Sequence, residues 1–160
     1  MDGEAPDKHY MVVDMLRAFY WFDDGMQNYL RSRGWPSVSR TQSMILINVI
    51  SGTNRSAEIA RNLGVTRQAI HITISQMIDA GLVKLESDPT DGRSKCVVLS
   101  ETLEPMRRDA REAVDLLTKE LHRRLGARTA QALARAFEQD WGPTLTFDES
   151  GTTGERKTKK

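Results

Sequence analysis

Cysteine occurs once in the chain, at Cys96, which excludes an internal disulfide framework and makes a reducing compartment the natural setting. Long apolar runs are missing as well. No uninterrupted stretch approaches the ~20 residues a membrane span needs, and the opening "MDGEAPDKHY" is acidic and polar, with no basic stretch leading into an apolar one. These absences predict a soluble, unexported, cytoplasmic protein. Nor is charge of one sign in excess. With a formal net charge of +1, a polyanionic partner would have to be recognised through where the basic groups sit, not through their number. The sequence has no glycine-rich phosphate loop and no recognisable nucleophile motif. His9, His71, His122 and Cys96 fall in different elements without ligand spacing. The expectation is therefore not an enzyme, with no metal and no cofactor. What is present is 39% hydrophobic and 28% charged residues over 160 positions, a balance that suits one compact domain or one domain with helical extensions.

The first periodic segment is "KHYMVVDMLRAFYWFDDGMQNYLRSR", in which Met11, Met15, Leu16, Phe19, Phe22, Met26, Tyr29 and Leu30 recur every three or four positions. This predicts a long amphipathic helix ending near "RGWP", with Gly25 as an interior weakness worth ~1 kcal/mol against alanine. A second helix, short and mostly buried, starts at Ser39, which has capping-box spacing to Gln42. Two further helical patterns follow, broken at "LGV"; the second has Thr66 as N-cap and Gly81 as its stop. The runs "LVKLES" and "CVVLS" flank a turn-forming cluster with Pro89 and Gly92, which predicts a β-hairpin with a charged tip. After Ser100, read as a cap, a stripe of apolar residues from Leu103 to Leu125 predicts a long helix that Gly126 stops. A last helix carries Ala130, Leu133, Phe137 and Trp141 on one side. The tail "TFDESGTTGERKTKK" has nothing to bury and is read as disordered.

Ala60, Gly64 and Ile70 stand at helix-turn-helix spacing. A small residue lets the crossing helix approach, a glycine takes the positive φ of the turn, and an isoleucine anchors the second helix. With Ile70, Ile74 and Met77 inward, Gln68, His71, Ile72 and Ser75 face out, with Thr66 and Arg67 at the helix N-terminus. A helix-turn-helix followed by a hairpin is a winged helix, which places its second helix in a DNA major groove and its wing on the backbone or minor groove. Arg93 and Lys95 supply positive charge at that wing, and an arginine suits a narrow, electronegative minor groove. Asp91 is placed to orient Arg93 by paired hydrogen bonds, and Gly92 to permit the turn.

The strings "SAEIARNLGVTRQAI" and "DAGLVKLESDPTDGRSKCVVLSE", with the flanking order of helices, make the chain resemble the MarR (multiple antibiotic resistance regulator) family from roughly Lys8 to Trp141. Asp91 and Arg93 match the family's Asp-x-Arg wing. The resemblance implies a homodimeric transcriptional repressor on a roughly palindromic double-stranded operator, released by a small aromatic or anionic effector. It also implies that the first and last helices interlock between protomers, which the apolar stripes at both ends of the chain support independently. Ile72 stands where the family usually has a basic residue and Gly92 where it often has a second arginine, two changes that remove phosphate contacts.

The expected architecture is mostly α (α+β): a winged helix-turn-helix with long N- and C-terminal dimerisation helices. Its expected segments are a disordered 1–7, a dimerisation helix over 8–35, the winged helix over 36–100, dimerisation helices over 101–143 and a disordered 144–160. Tyr20 and Trp21 are candidates to line an effector pocket, and Cys96 reads as a small packing residue. The competing reading is a winged-helix protein-interaction module that binds no operator.

Overall fold

The computed structural model describes residues 10–149, 151, 153 and 154. The segment 1–7, Lys8, His9 and the last six residues of the tail lie outside the described residues. The chain divides into two compact units, Met1–Thr118 and Lys119–Lys160.

In the first unit, α1 (Met11–Ser32) is continuous through Gly25. A Cβ at Gly25 would lie 2.5 Å from Leu117 Cδ2, so the glycine that weakens the helix also makes room for a leucine of a distant segment. The chain leaves α1 through Gly34 at φ +85°. Asp23 was unforeseen: it is buried on α1, 3.2 Å from Arg40 Nη1, while Arg40 Nη2 donates to Asp24 Oδ1 at 2.6 Å. One arginine thereby ties α1 to the start of α2 (Arg40–Ile50). The capping box at Ser39 and Gln42 forms in both directions. The expected burial of α2 does not hold, because only Ser43 and Ile45 are buried, while Met44, Ile47 and Ile50 remain exposed. A helix lying over one core buries one stripe only, and the apolar residues of α2 surround it.

Helices α3 (Ser56–Leu63) and α4 (Arg67–Asp79) form the helix-turn-helix around Gly64 at φ +66°. Ala60 is 2% exposed and Ile70 fully buried, as close packing of the two helices requires. Strands β1 (Val83–Ser87) and β2 (Lys95–Leu99) pair antiparallel, with Val83 opposite Leu99 and Ser87 opposite Lys95. The residues before α3 add a third line to this ribbon: Arg55 bridges Cys96, and the Val97 amide donates to the Asn54 carbonyl at 2.8 Å. Ile45, Ile59, Ile70, Ile74, Met77, Val83, Val97 and Met106 make one core that holds helices and ribbon together. Cys96, the neighbour of Val97 on β2, is also buried but outside that cluster, and burial, then the Asp88 charge, pushes its thiol pKa up.

Ser100 does not cap with its side chain; its hydroxyl bonds to Thr102 Oγ1 at 2.8 Å, and a short 3-10 turn, Glu101–Leu103, precedes α5 (Glu104–Leu125). Trp35 Nε1 donates to Asp109 Oδ2 at 2.7 Å, fixing the exit of α1 on α5.

In the second unit, α6 (Ala127–Glu138) ends three residues before Trp141, earlier than the apolar spacing predicts. Trp141 instead stacks on Phe137, with ring centroids 5.8 Å apart, and donates its indole N–H to the Ala136 carbonyl. The tail differs from its expected disorder: β3 (Thr146–Phe147) pairs with β4 (Thr153–Gly154). Gly151 closes the turn at φ +77°, its amide donating to the Asp148 carbonyl. A ladder this short is held by backbone bonds and a glycine turn, features that composition alone does not reveal.

Candidate nucleic-acid interface

The outward face of α4 is built as the spacing requires. Ile70, Ile74 and Met77 are buried, and Gln68, His71, Ile72 and Ser75 are exposed on the other side. Thr66 Oγ1 accepts from the Ala69 amide at 3.1 Å, capping the helix and leaving its O–H free to donate outward. Arg67, on the first turn, is exposed. Ile72 is 54% exposed, so its apolar side chain is offered to a partner instead of the core.

The wing is organised by a residue that the sequence reading passed over. Asp88 is 5% exposed. Its Oδ2 accepts from Arg55 Nε at 2.8 Å, and its Oδ1 accepts from the Thr90 amide and hydroxyl at 2.8 and 2.7 Å. Arg55 Nη2 also donates to Thr90 Oγ1. The two Thr90 bonds, followed by the Arg55 guanidinium, hold the Asp88 carboxyl far below the usual carboxylate range. An aspartate bonding the backbone two residues on is an Asx-turn, a signal that "DPT" carries in plain view. Arg55, on the far side of the helix-turn-helix in sequence, gives no such local signal.

Asp91 orients the tip by a route other than the expected one. Its Oδ1 accepts from the Arg93 backbone amide at 3.2 Å and its Oδ2 from Ser94 Oγ at 2.6 Å. Both bonds lower its pKa, the Ser94 bond most. The carboxylate therefore fixes the backbone, and the exposed Arg93 guanidinium has no partner among the described residues. Gly92 does not have the positive φ that would make glycine necessary, and a Cβ there would meet nothing within 4 Å. The turn is held by Asp91 and Asp88, and the expected role of Gly92 falls away. Lys95 lies at the root of the wing, donating to Ser87 Oγ across the ladder at 3.1 Å.

Tyr20 and Trp21 have different neighbours. The Arg40 guanidinium lies 4.2 Å from the Tyr20 ring centroid, whereas Trp21 meets Phe22 edge-on at 4.9 Å. Successive helical residues point about 100° apart, which separates them. A cleft of about 480 Å³ lies between α2 and α5, lined by Ile50, Ala110 and Val114 with Arg107, Arg111 and Asp115.

Comparison with known proteins agrees with this geometry. Residues 37–94 match the family model MarR_2, described as MarR family. The Mycobacterium tuberculosis MarR family protein RV2887, solved with salicylic acid, superposes with a TM-score of 0.59 at 21% identity, covering 84% of this chain and 98% of that one. CouR from Rhodococcus jostii RHA1, solved with p-coumaroyl-CoA, gives a TM-score of 0.59 at 16% identity, covering 86% and 94%. In sequence, the chain is 28% identical over 89 residues to the SPbeta prophage-derived uncharacterized protein YopX of Bacillus subtilis (strain 168). That match takes in 56% of this chain and 61% of the length of the relative.

Proposed function

We propose that this chain, whose winged helix matches the MarR family over residues 37–94 and whose fold is that of MarR-family transcriptional regulators, binds DNA sequence-specifically as a cytoplasmic homodimer. In this reading it occupies a roughly palindromic operator and represses until a small aromatic or anionic effector releases it. MarR-family members are transcriptional regulators and not enzymes. Among the described residues, no helix is long and apolar enough to cross a membrane. The observation that carries the reading is the contrast inside the wing and α4. The base of the wing is locked by Arg55 and Asp88, while Arg93 and the face formed by Gln68, His71, Ile72 and Ser75 are left uncommitted. Rigid support beneath unpaired polar groups is what a groove-reading surface needs.

The deciding experiment is selection of bound fragments from the source genome, followed by gel shift. Selective retention supports the regulator; failure to retain any duplex at low salt favours the protein-interaction module. Two variants then separate readout from positioning. Gln68→Ala is expected to cost ~1–3 kcal/mol of discrimination at one base pair. Lys95→Ala is expected to weaken all sequences alike and to reduce the salt slope by about one. Equal loss of selectivity in both would show the two faces to be wrongly assigned.

The homodimer is supported by apolar surface in each unit. Met11 and Val12 on α1 are each 70% exposed, and Trp141 in the second unit is 60% exposed. A second copy is the simplest cover for such faces. Sedimentation equilibrium at micromolar concentration is expected to give twice the chain mass, and a monomer with its helices intact would overturn the assignment. The effector reading is supported by the relatives solved with salicylic acid and p-coumaroyl-CoA. In this chain the cleft between α2 and α5, with apolar walls beside Arg107, Arg111 and Asp115, is a candidate seat for such a molecule, its two arginines also pairing with Glu104.

A further inference from the structure

We infer that the cleft between α3, α4 and the wing seats one sugar-phosphate strand of the duplex, with Arg61 as a phosphate ligand beside Lys95. The inference rests on the DNA-binding reading and extends it to a residue outside both the outward face of α4 and the wing tip. If α4 lies in a major groove and Arg93 enters the adjoining minor groove, the backbone strand that divides those grooves has to cross between them. In this protein a cleft of about 530 Å³ occupies that position, lined among others by Ser56, Arg61, His71, Leu85 and Lys95.

The chemistry of the lining fits a phosphodiester. Arg55 also lines the cleft, but its guanidinium is held by Asp88 and Thr90. Arg61 is exposed and has no acidic partner among the described residues, and Lys95 is bonded only to the neutral hydroxyl of Ser87. Two cations are therefore left without a counter-ion. Leu85 is 46% exposed and offers an apolar surface to the sugar, and the hydroxyl of Ser56 supplies a neutral donor, whereas that of Ser94 is spent on Asp91. Glu58 is the one carboxylate in the lining. It repels a phosphate there, which makes it the natural opposite control. His71 lines the cleft as well as the outward face of α4, so it is placed to meet the strand as readily as a base edge.

A backbone contact carries no sequence information, and this sets the test. The full chain and its Arg61→Ala, Arg61→Lys and Glu58→Gln variants are titrated by fluorescence anisotropy against the genomic fragment that the wild type selects and against a random-sequence duplex, over a range of salt. Circular dichroism confirms that each variant is folded. Arg61→Ala is expected to weaken both duplexes by the same several-fold factor and to lower the salt slope by about one. Arg61→Lys is expected to restore the slope, and Glu58→Gln to tighten both duplexes. If the folded Arg61→Ala variant binds both duplexes as the wild type does, or loses only the selected fragment, the seat is wrong while the DNA-binding reading stands. If the wild type binds neither duplex at low salt, both fall.

Discussion

Asp88→Ala is expected to lower operator affinity about tenfold or more while leaving the helix-turn-helix folded, because a wing cut loose at its base has to be ordered each time it binds. The same loss is expected of Arg93→Ala, by a different cause: on the proposed reading the cation that enters the electronegative minor groove is gone. Amide exchange tells the two apart. Asp88→Ala should speed exchange across Asp88–Ser94, where the Asp88, Asp91 and Ser94 amides are bonded within the turn; Arg93→Ala should not. Arg55→Lys should resemble Asp88→Ala, since a lysine keeps the charge but cannot reach Asp88 and Thr90 together as the guanidinium does. The sign with pH follows from the depressed Asp88 pKa. Its stabilisation is complete above the ordinary aspartate range near ~3.9 and is lost only as pH falls well below it. Mild acid therefore leaves the anchor closed. Wild-type affinity in Asp88→Ala would show that the ion pair does not position the wing. Asp91→Ala is a sharper case, for it removes negative charge near DNA yet frees the Arg93 amide and the Ser94 hydroxyl.

The largest effect on stability is expected at Ile70, where truncation to alanine removes a fully buried side chain and should cost about 2–5 kcal/mol in urea unfolding. Its site is closed on several sides by core residues from α2, α3 and the ribbon, so collapse around the lost atoms is limited. Ile72→Ala is the matched control, with the same atoms removed two positions along the same helix from a side chain 54% exposed. It should leave stability within about 0.5 kcal/mol while altering DNA discrimination. Equal unfolding midpoints for the two variants would mean that α4 is rotated from the face assigned to it.

Local rules made much of this fold legible. The capping box at Ser39, the Thr66 cap, the positive φ of Gly64 and the period of Ile70, Ile74 and Met77 all follow from residues within a few positions of each other. The outward face of α4 follows from the same period. What stayed hidden depends on partners distant in sequence. Nothing near Gly25 reveals Leu117, nothing near Asp23 reveals Arg40, and the anchor of the wing needs Arg55 to be brought to Asp88 by the packing of two helices between them. Asp91 was singled out for the right loop but the wrong bond, since the choice between a guanidinium and a backbone amide depends on turn geometry that a sequence does not specify. The exposed surface of α2 stays hidden for a related reason: apolar residues on every side of a short helix do not say which side has a neighbour.

The bond from the Val97 amide to the Asn54 carbonyl has a kinetic meaning. It closes a loop of chain that starts before α3 and returns after the tip of the wing, with the whole helix-turn-helix inside it. Closing so long a loop costs entropy that is recovered only when the ribbon and the helices pack on the same core. The two halves are therefore expected to fold in one step, and the wing, which looks like an appendage, is the clasp that completes the ring.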